Sequence, residues 1–250
     1  MGNGKEMANI KKDRREFIQY STLGLLGLVL GAGVIGSPYL NAQENRLRPP
    51  GAVAEDDFLA LCIKCGQCLQ VCPYHSIELA DMAKGHGIGT PYIDPLERGC
   101  YLCKALPCVL ACPSGALDHH TEKPVQVEMG VAVLKYSNKC IAISKEVVPK
   151  RAIERIYAHP HSNEQEVEVL EDLEEFEGKQ CTICADMCPL PNAFTAIEMV
   201  DDDLNGGQRP EILEGCVGCG ACIELCPTSA LIVEPRLTYE DYYIKGIRND

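Results

Sequence analysis

The chain has 250 residues, 46 % hydrophobic and 24 % charged, with no Trp, four Phe and sixteen Cys. So few aromatic residues cannot build a large core, which implies small domains stapled by disulfides or metal. A formal net charge of −13 argues against nucleic-acid binding, because neutralising phosphate needs the opposite sign.

Residues 1–15 concentrate Lys5, Lys11, Lys12, Arg14 and Arg15 against Glu6 and Asp13, whereas residues 43–250 carry 18 basic and 33 acidic side chains. The basic flank precedes thirteen mostly apolar residues, 23–35, broken by Gly24, Gly27, Gly31 and Gly33. That run is shorter than the ~20 residues a spanning helix needs. It fits an export leader cleaved after Ala42. Arg14-Arg15-Glu16-Phe17-Ile18 resembles the twin-arginine (Tat) pattern R-R-x-F-[LI], a route for proteins already folded around their cofactors. Counting residues 17–40 as one apolar stretch gives the alternative, an uncleaved N-terminal anchor. Residues 1–42 are therefore read as signal or anchor, and the rest as periplasmic.

Arg46-Leu47-Arg48-Pro49-Pro50-Gly51 reads as a linker. Beyond it, fifteen cysteines fall into four runs that each end in Cys-Pro. Run one is Cys62, Cys65, Cys68 and Cys72; run two is Cys100, Cys103, Cys108 and Cys112. Run three is Cys181, Cys184 and Cys188; run four is Cys216, Cys219, Cys222 and Cys226. Runs one and four read C-x2-C-x2-C-x3-C-P, the bacterial ferredoxin spacing, in which three thiolates hold one cubane cluster and the fourth reaches the other cluster of a pair. Run two has four residues between Cys103 and Cys108, a bulge that alters backbone contacts to one cluster.

Two other cysteine chemistries fit less well. Sixteen cysteines in 250 residues fall below the roughly 8–10 % density of short disulfide scaffolds, and disulfides need no recurring proline. Zinc ribbons pair two C-x2-C knuckles across about 15–20 residues, whereas a third cysteine follows at once here. No C-x-x-C is followed by His, which excludes c-type haem.

The runs are joined by matching segments. A strand-like stretch at 76–81, glycines 85, 87 and 89, and a second stretch at 91–94 separate runs one and two. Residues 196–200, Gly206-Gly207 and 210–213 separate runs three and four. This is an internal repeat of cysteine loop, strand, glycine turn, strand and cysteine loop. Pairing consecutive runs groups Cys62, Cys65, Cys68 and Cys112; Cys100, Cys103, Cys108 and Cys72; and Cys216, Cys219, Cys222 and Cys188. The alternative joins run one to four and two to three, as in iron–sulfur subunits of membrane molybdoenzymes; the two similar hairpins argue against it.

Run three lacks its first cysteine, leaving Cys181 and Cys184 with Cys226 from run four. Cys140, carried in by strand-like residues 131–134, completes that set. The alternative is a free thiol beside a three-iron site, and an exported unpaired thiol is a liability. Between Cys140 and Cys181, residues 149–157 look helical. Residues 164–177 hold eight acids, with Val167, Leu170, Leu173 and Phe176 at spacing three, and read as an amphipathic helix with a solvated acidic face. His119, His120, His159 and His161 read as surface residues.

Together with the leader, Leu47-Arg48-Pro49-Pro50-Gly51, Phe58-Leu59-Ala60-Leu61-Cys62, Gly89-Thr90-Pro91-Tyr92 and Cys140-Ile141-Ala142 resemble the NapG/MauM ferredoxin-type family. The resemblance implies four [4Fe–4S] clusters in the periplasm. It also implies electrons passed from a membrane-bound, quinol-oxidising ferredoxin-type partner (NapH-like) to a periplasmic reductase or cytochrome acceptor in a nitrate-reductase-like system. The insertion after Cys140 departs from the shorter loop expected of nitrate-linked members.

The expected fold class is α+β: two tandem bacterial-type 2[4Fe–4S] ferredoxin-like units with short helices and two-stranded hairpins. The expected divisions are the leader 1–42, unit one 43–130, the Cys140 strand with the acidic insertion 131–180, unit two 181–235 and a tail 236–250. The expected function is electron carriage with no turnover site. The alternative is an iron–sulfur subunit of a molybdenum oxidoreductase or hydrogenase complex.

Overall fold

Just before run one Phe58 anchors a seven-residue helix, α1 (Glu55–Leu61), whose Glu55, Asp56 and Asp57 place negative charge at its N-terminal end, where the helix dipole favours it. The computed structural model describes residues 46–82, 87–157, 164–190, 195–203 and 206–248. The leader, His159 and His161 lie outside these residues. Among the described residues no helix is long and apolar enough to cross a membrane. Residues 45–80 and 89–250 make one compact unit, to which the description below applies.

The architecture is α+β, with one-turn helices set between three small antiparallel sheets of two strands each. Strand β1 (Glu78–Leu79) pairs with β2 (Pro91–Tyr92), and β4 (Ile197–Asp201) pairs with β5 (Gln208–Ile212). These are the two hairpins expected between consecutive runs. The third sheet is long-range: β3 (Gly130–Leu134) pairs with β6 (Leu231–Pro235), register Gly130↔Pro235 to Leu134↔Leu231. The strand leading to Cys140 is thus part of the second half. Gly218 (φ +67°) seals this region, since a Cβ there would stand 2.2 Å from the Gly130 carbonyl carbon.

Residues 46–51 are no linker. Leu47 bridges Ile93, whose N–H donates to the Leu47 carbonyl at 2.8 Å. Arg48 is 2 % exposed. Its guanidinium donates to Thr90 Oγ1 (3.0 Å) and the Pro91 carbonyl (2.8 Å), forms a fork with Glu55 and lies 4.7 Å over the Phe58 ring. A buried arginine is tolerated because a carboxylate, two oxygens and an aromatic face surround it. Arg236, just after β6, donates to the Ala52 and Val53 carbonyls and pairs with the same Glu55 at 2.7 Å.

The insertion folds back on itself. The Val148 N–H donates to the Lys179 carbonyl and the Gly178 N–H to the Val148 carbonyl, closing its two ends. Helix α4 (Ile141–Ser144) follows Cys140, and within the insertion α5 (Lys150–Tyr157) packs on α6 (Glu164–Glu174). Ile153, Ile156, Leu170 and Leu173 form a core with Ile141, Ile183 and Leu225. The apolar face of α6 differs from the expected one. Val167 is 43 % exposed, while Glu166 is buried with Leu170 and Leu173. Strict spacing of three drifts about 60° per step around a helix, whereas positions i, i+4 and i+7 stay on one face. Buried Glu166 forms an ion pair with Arg98 (3.3 Å) and meets His75 Nδ1 (3.0 Å).

The tail is also packed. A π-helix at Glu240–Ile244 buries Tyr242 beneath the Arg248 guanidinium, 3.6 Å from the ring centre. The Tyr243 hydroxyl donates to the Ala132 carbonyl at 3.0 Å.

Candidate metal centres

The cysteine runs curl because chosen residues take left-handed backbone. In run one these are Lys64 (φ 58°) and Gly66 (φ 72°), and in run four Gly218 (φ 67°) and Gly220 (φ 85°). Glycine meets this demand freely; a side chain meets it at a cost of roughly 1 kcal/mol. Run two uses Leu102 (φ 47°) and Leu106 (φ 42°), and its longer spacer turns Leu106, 1 % exposed, into the wall of a site. Residues 181–188, all described, include no left-handed residue. Run three therefore makes no such loop.

Four one-turn helices do the rest: α2 (Gln67–Gln70), α3 (Pro107–Leu110), α7 (Ile183–Asp186) and α8 (Ala221–Glu224). Each carries one cysteine, Cys68, Cys108, Cys184 or Cys222. Each then releases a second just beyond its end, Cys72, Cys112, Cys188 or Cys226. The proline that follows disfavours helical backbone at that cysteine, so the second sulfur leaves the first one's loop. Helix α2 packs on α3 and α7 on α8, which crosses the released cysteines over.

Four small pockets result, each of about 20 Å³ and each ringed by cysteines. Site I is lined by Cys62, Cys65, Cys68 and Cys112 against Phe58 and Leu117. Site II is lined by Cys72, Cys100, Cys103 and Cys108 against Ile77, Ile93 and Leu106. Site III brings Cys140 to Cys181, Cys184 and Cys226 against Leu134, Ile183 and Leu231. Site IV holds Cys188, Cys216, Cys219 and Cys222 against Leu190, Ile197 and Ile212, with Cys184 also on its wall. All sixteen predicted cysteines therefore line one of these pockets, fifteen of them in sets drawn from consecutive runs and Cys140 joining site III. Lys64, at site I, is the charged residue among the described lining residues.

Many of the sulfurs are dry and crowded. Burial first, then neighbouring sulfurs, pushes the Cys68 and Cys103 thiols up to about 11 and Cys108 to about 12. Burial likewise lifts Cys181 to about 11 and raises Cys100, Cys184, Cys216, Cys219 and Cys222. Cys112 goes the other way: N–H groups of Leu117, Ser114 and Gly115 and the Ser114 hydroxyl outweigh its burial. Backbone N–H groups also reach sulfur from Ser76 to Cys72 (3.4 Å), Leu117 to Cys112 (3.4 Å), Ala132 to Cys216 (3.4 Å) and Ala230 to Cys226 (3.3 Å). Desolvated thiols in sets of four ionise only beside strongly positive metal, and the N–H donors then offset thiolate charge.

No disulfide joins the sixteen cysteines. Among the described residues no three His, Cys, Asp or Glu side chains approach closely enough to share one metal ion. A single zinc draws its sulfurs to about 2.3 Å from one point, whereas these sulfurs surround a space. That arrangement fits a polynuclear cluster. His119 and His120 stay outside the sites, on the Cys112 carbonyl (2.9 Å) and Asp118 (2.8 Å) respectively.

A family described as 4Fe-4S dicluster domain matches residues 61–116 and 179–230, one match per half. The methylamine utilization ferredoxin-type protein MauM of Methylorubrum extorquens is 30 % identical over 240 residues, covering 92 % of this chain and 93 % of its own length. The chain belongs to the MauM/NapG ferredoxin-type family. MauM of Paracoccus denitrificans is 33 % identical over 193 residues, 76 % of this chain and 71 % of its own. The ferredoxin-type protein NapG of Escherichia coli is 30 % identical over 226 residues, 88 % and 83 % respectively. No solved structure matches the chain. As a member of this family the chain is an iron–sulfur electron carrier with 4Fe–4S sites.

The sequence did not reveal a polar cluster between the halves. Glu224, buried between Cys222 and Cys226, accepts from the Gly99 N–H (2.7 Å) and the Tyr101 hydroxyl (3.1 Å). An acid inside a cysteine run was its one local sign.

Proposed function

We propose that the chain is an exported, Tat-dependent relay holding four [4Fe–4S] clusters, one in each of sites I to IV. It takes electrons from a membrane quinol-oxidising ferredoxin-type partner and gives them to a periplasmic reductase or cytochrome. Site III carries this reading. Its fourth cysteine, Cys140, lies outside every run, yet the β3–β6 pairing brings it to Cys181, Cys184 and Cys226. A bound cubane supplies one-electron transfer at a potential set by burial and by hydrogen bonds to sulfur. The residues of the chain do the tuning: aliphatic walls exclude water, and the N–H groups of Ser76, Leu117, Ala132 and Ala230 point at ligand sulfurs.

Protein purified without air is expected to carry about sixteen irons per chain with matching sulfide. About eight would reduce the reading to one dicluster unit, and a colourless, iron-free preparation would end it. Replacing Arg14 and Arg15 together by lysine is expected to strand the protein in the cytoplasm; undiminished periplasmic recovery rejects the export reading.

A further inference from the structure

Ligand cysteines of different sites are linked in three places. Helices α2 and α3 each carry a cysteine of one of sites I and II and release a cysteine of the other just beyond their ends, so these sites are neighbours. Helices α7 and α8 join sites III and IV in the same way. The third link crosses between the halves. The Cys100 N–H of site II donates to the Cys219 carbonyl of site IV at 2.8 Å, and Cys100 forms a parallel bridge with Gly220.

This junction is closely fitted. A Cβ on Gly99 would stand 2.6 Å from the Ala221 backbone, and one on Gly220 would stand 2.8 Å from Pro95 Cβ. Glu224, one turn beyond Gly220, accepts from Gly99 and Tyr101, and the Ser76 hydroxyl caps the Gly99 carbonyl. Tyr101, on the wall of site II, stacks on Tyr74 with ring centres 4.6 Å apart. No other pair of sites shares a direct backbone hydrogen bond between ligand cysteines among the described residues.

Resting on the four-cluster reading, we infer that Cys100 and Cys219 form the junction between the two dicluster halves, so the sites line up I–II–IV–III rather than in chain order. Gly99 and Gly220 are positioning residues that let the two ligand loops touch. Sites I and III are the ends of the line. Cys65 of site I is exposed, as is Ile63 two residues before it, 64 % exposed, which suits a terminal position.

The test reads magnetic coupling between reduced clusters by electron paramagnetic resonance. A variant retaining II and IV (Cys62→Ser, Cys65→Ser, Cys140→Ser and Cys181→Ser) is expected to show a spectrum broadened by mutual coupling. A variant retaining I and IV (Cys100→Ser, Cys103→Ser, Cys140→Ser and Cys181→Ser) is expected to show the sum of two isolated signals. Equal broadening in both, or broadening in the second alone, overturns the order. Adding Gly99→Val to the first variant is expected to remove the broadening at an unchanged iron content of about eight per chain. Retained broadening there removes Gly99 from the junction. The four-cluster reading fails separately, by an iron content of the unmodified protein well below about sixteen.

Discussion

Glu55 is the one carboxylate that both Arg48 and Arg236 grip, so Glu55→Gln removes a charge at the point where the N-terminal segment, α1 and the end of β6 meet. Breaking a fully buried pair costs roughly 3–5 kcal/mol, because the partner charge stays behind. The cost here is smaller. The Glu55 side chain is 24 % exposed, and Arg48 keeps Thr90 and the Pro91 carbonyl. About 2 kcal/mol is the expected loss. Unfolding releases the metal irreversibly, so the measurable quantity is a rate. Bleaching of the visible absorbance in anaerobic guanidinium should run roughly thirtyfold faster if the contact is absent from the transition state. The sign with pH follows from the carboxyl. Burial raises its pKa, but the hydrogen bonds and charge of Arg48, then of Arg236, outweigh this and hold it below 4.5. Its contribution is therefore whole above about pH 4.5 and fades only as pH falls through the lower folded value. The gap between wild type and variant should be equal at pH 7 and pH 6. A gap under threefold, or one already shrinking between those two values, refutes the reasoning.

Cys140→Ala should convert site III to a three-iron centre with its own oxidised paramagnetic signal, or empty it with loss of about four irons; an unaltered spectrum and iron count remove Cys140 from the ligands. Glu166→Gln leaves Arg98, 14 % exposed, facing a neutral amide and should cost about 1–2 kcal/mol. Amide hydrogen exchange along α6 should quicken accordingly, whereas exposed Glu168→Gln on the same helix should leave it unchanged; equal protection in both variants contradicts the docking role of Glu166.

Much of the site was legible because cysteine spacing is a local code. A ligand loop of two-residue gaps and a trailing Cys-Pro act over a dozen residues, and the two short hairpins sit between such loops. What escaped depended on distant partners. Arg46-Leu47-Arg48-Pro49-Pro50-Gly51 has the composition of a linker, and a buried Arg48 is explained by Glu55, Phe58, Thr90 and the Pro91 carbonyl together. The burial of Glu166 needed Arg98 and His75, which lie in the other half of the chain. Residues 114–117 and 228–231 look alike, yet Leu117 makes a single bridge to Ala52 while Leu231 opens a full strand against β3. A strand partner about a hundred residues away leaves no trace in local pattern.

That strand has a consequence for modularity. A fragment beginning at run three, near residue 179, would lack the neighbour of β6 and the sulfur of Cys140. The smallest portable piece of that half begins at Gly130 and carries the helical insertion with it. A tandem gene duplication of the visible repeat alone would yield a copy short of both, which makes the middle of this chain an obligate part of its second ferredoxin rather than a spacer.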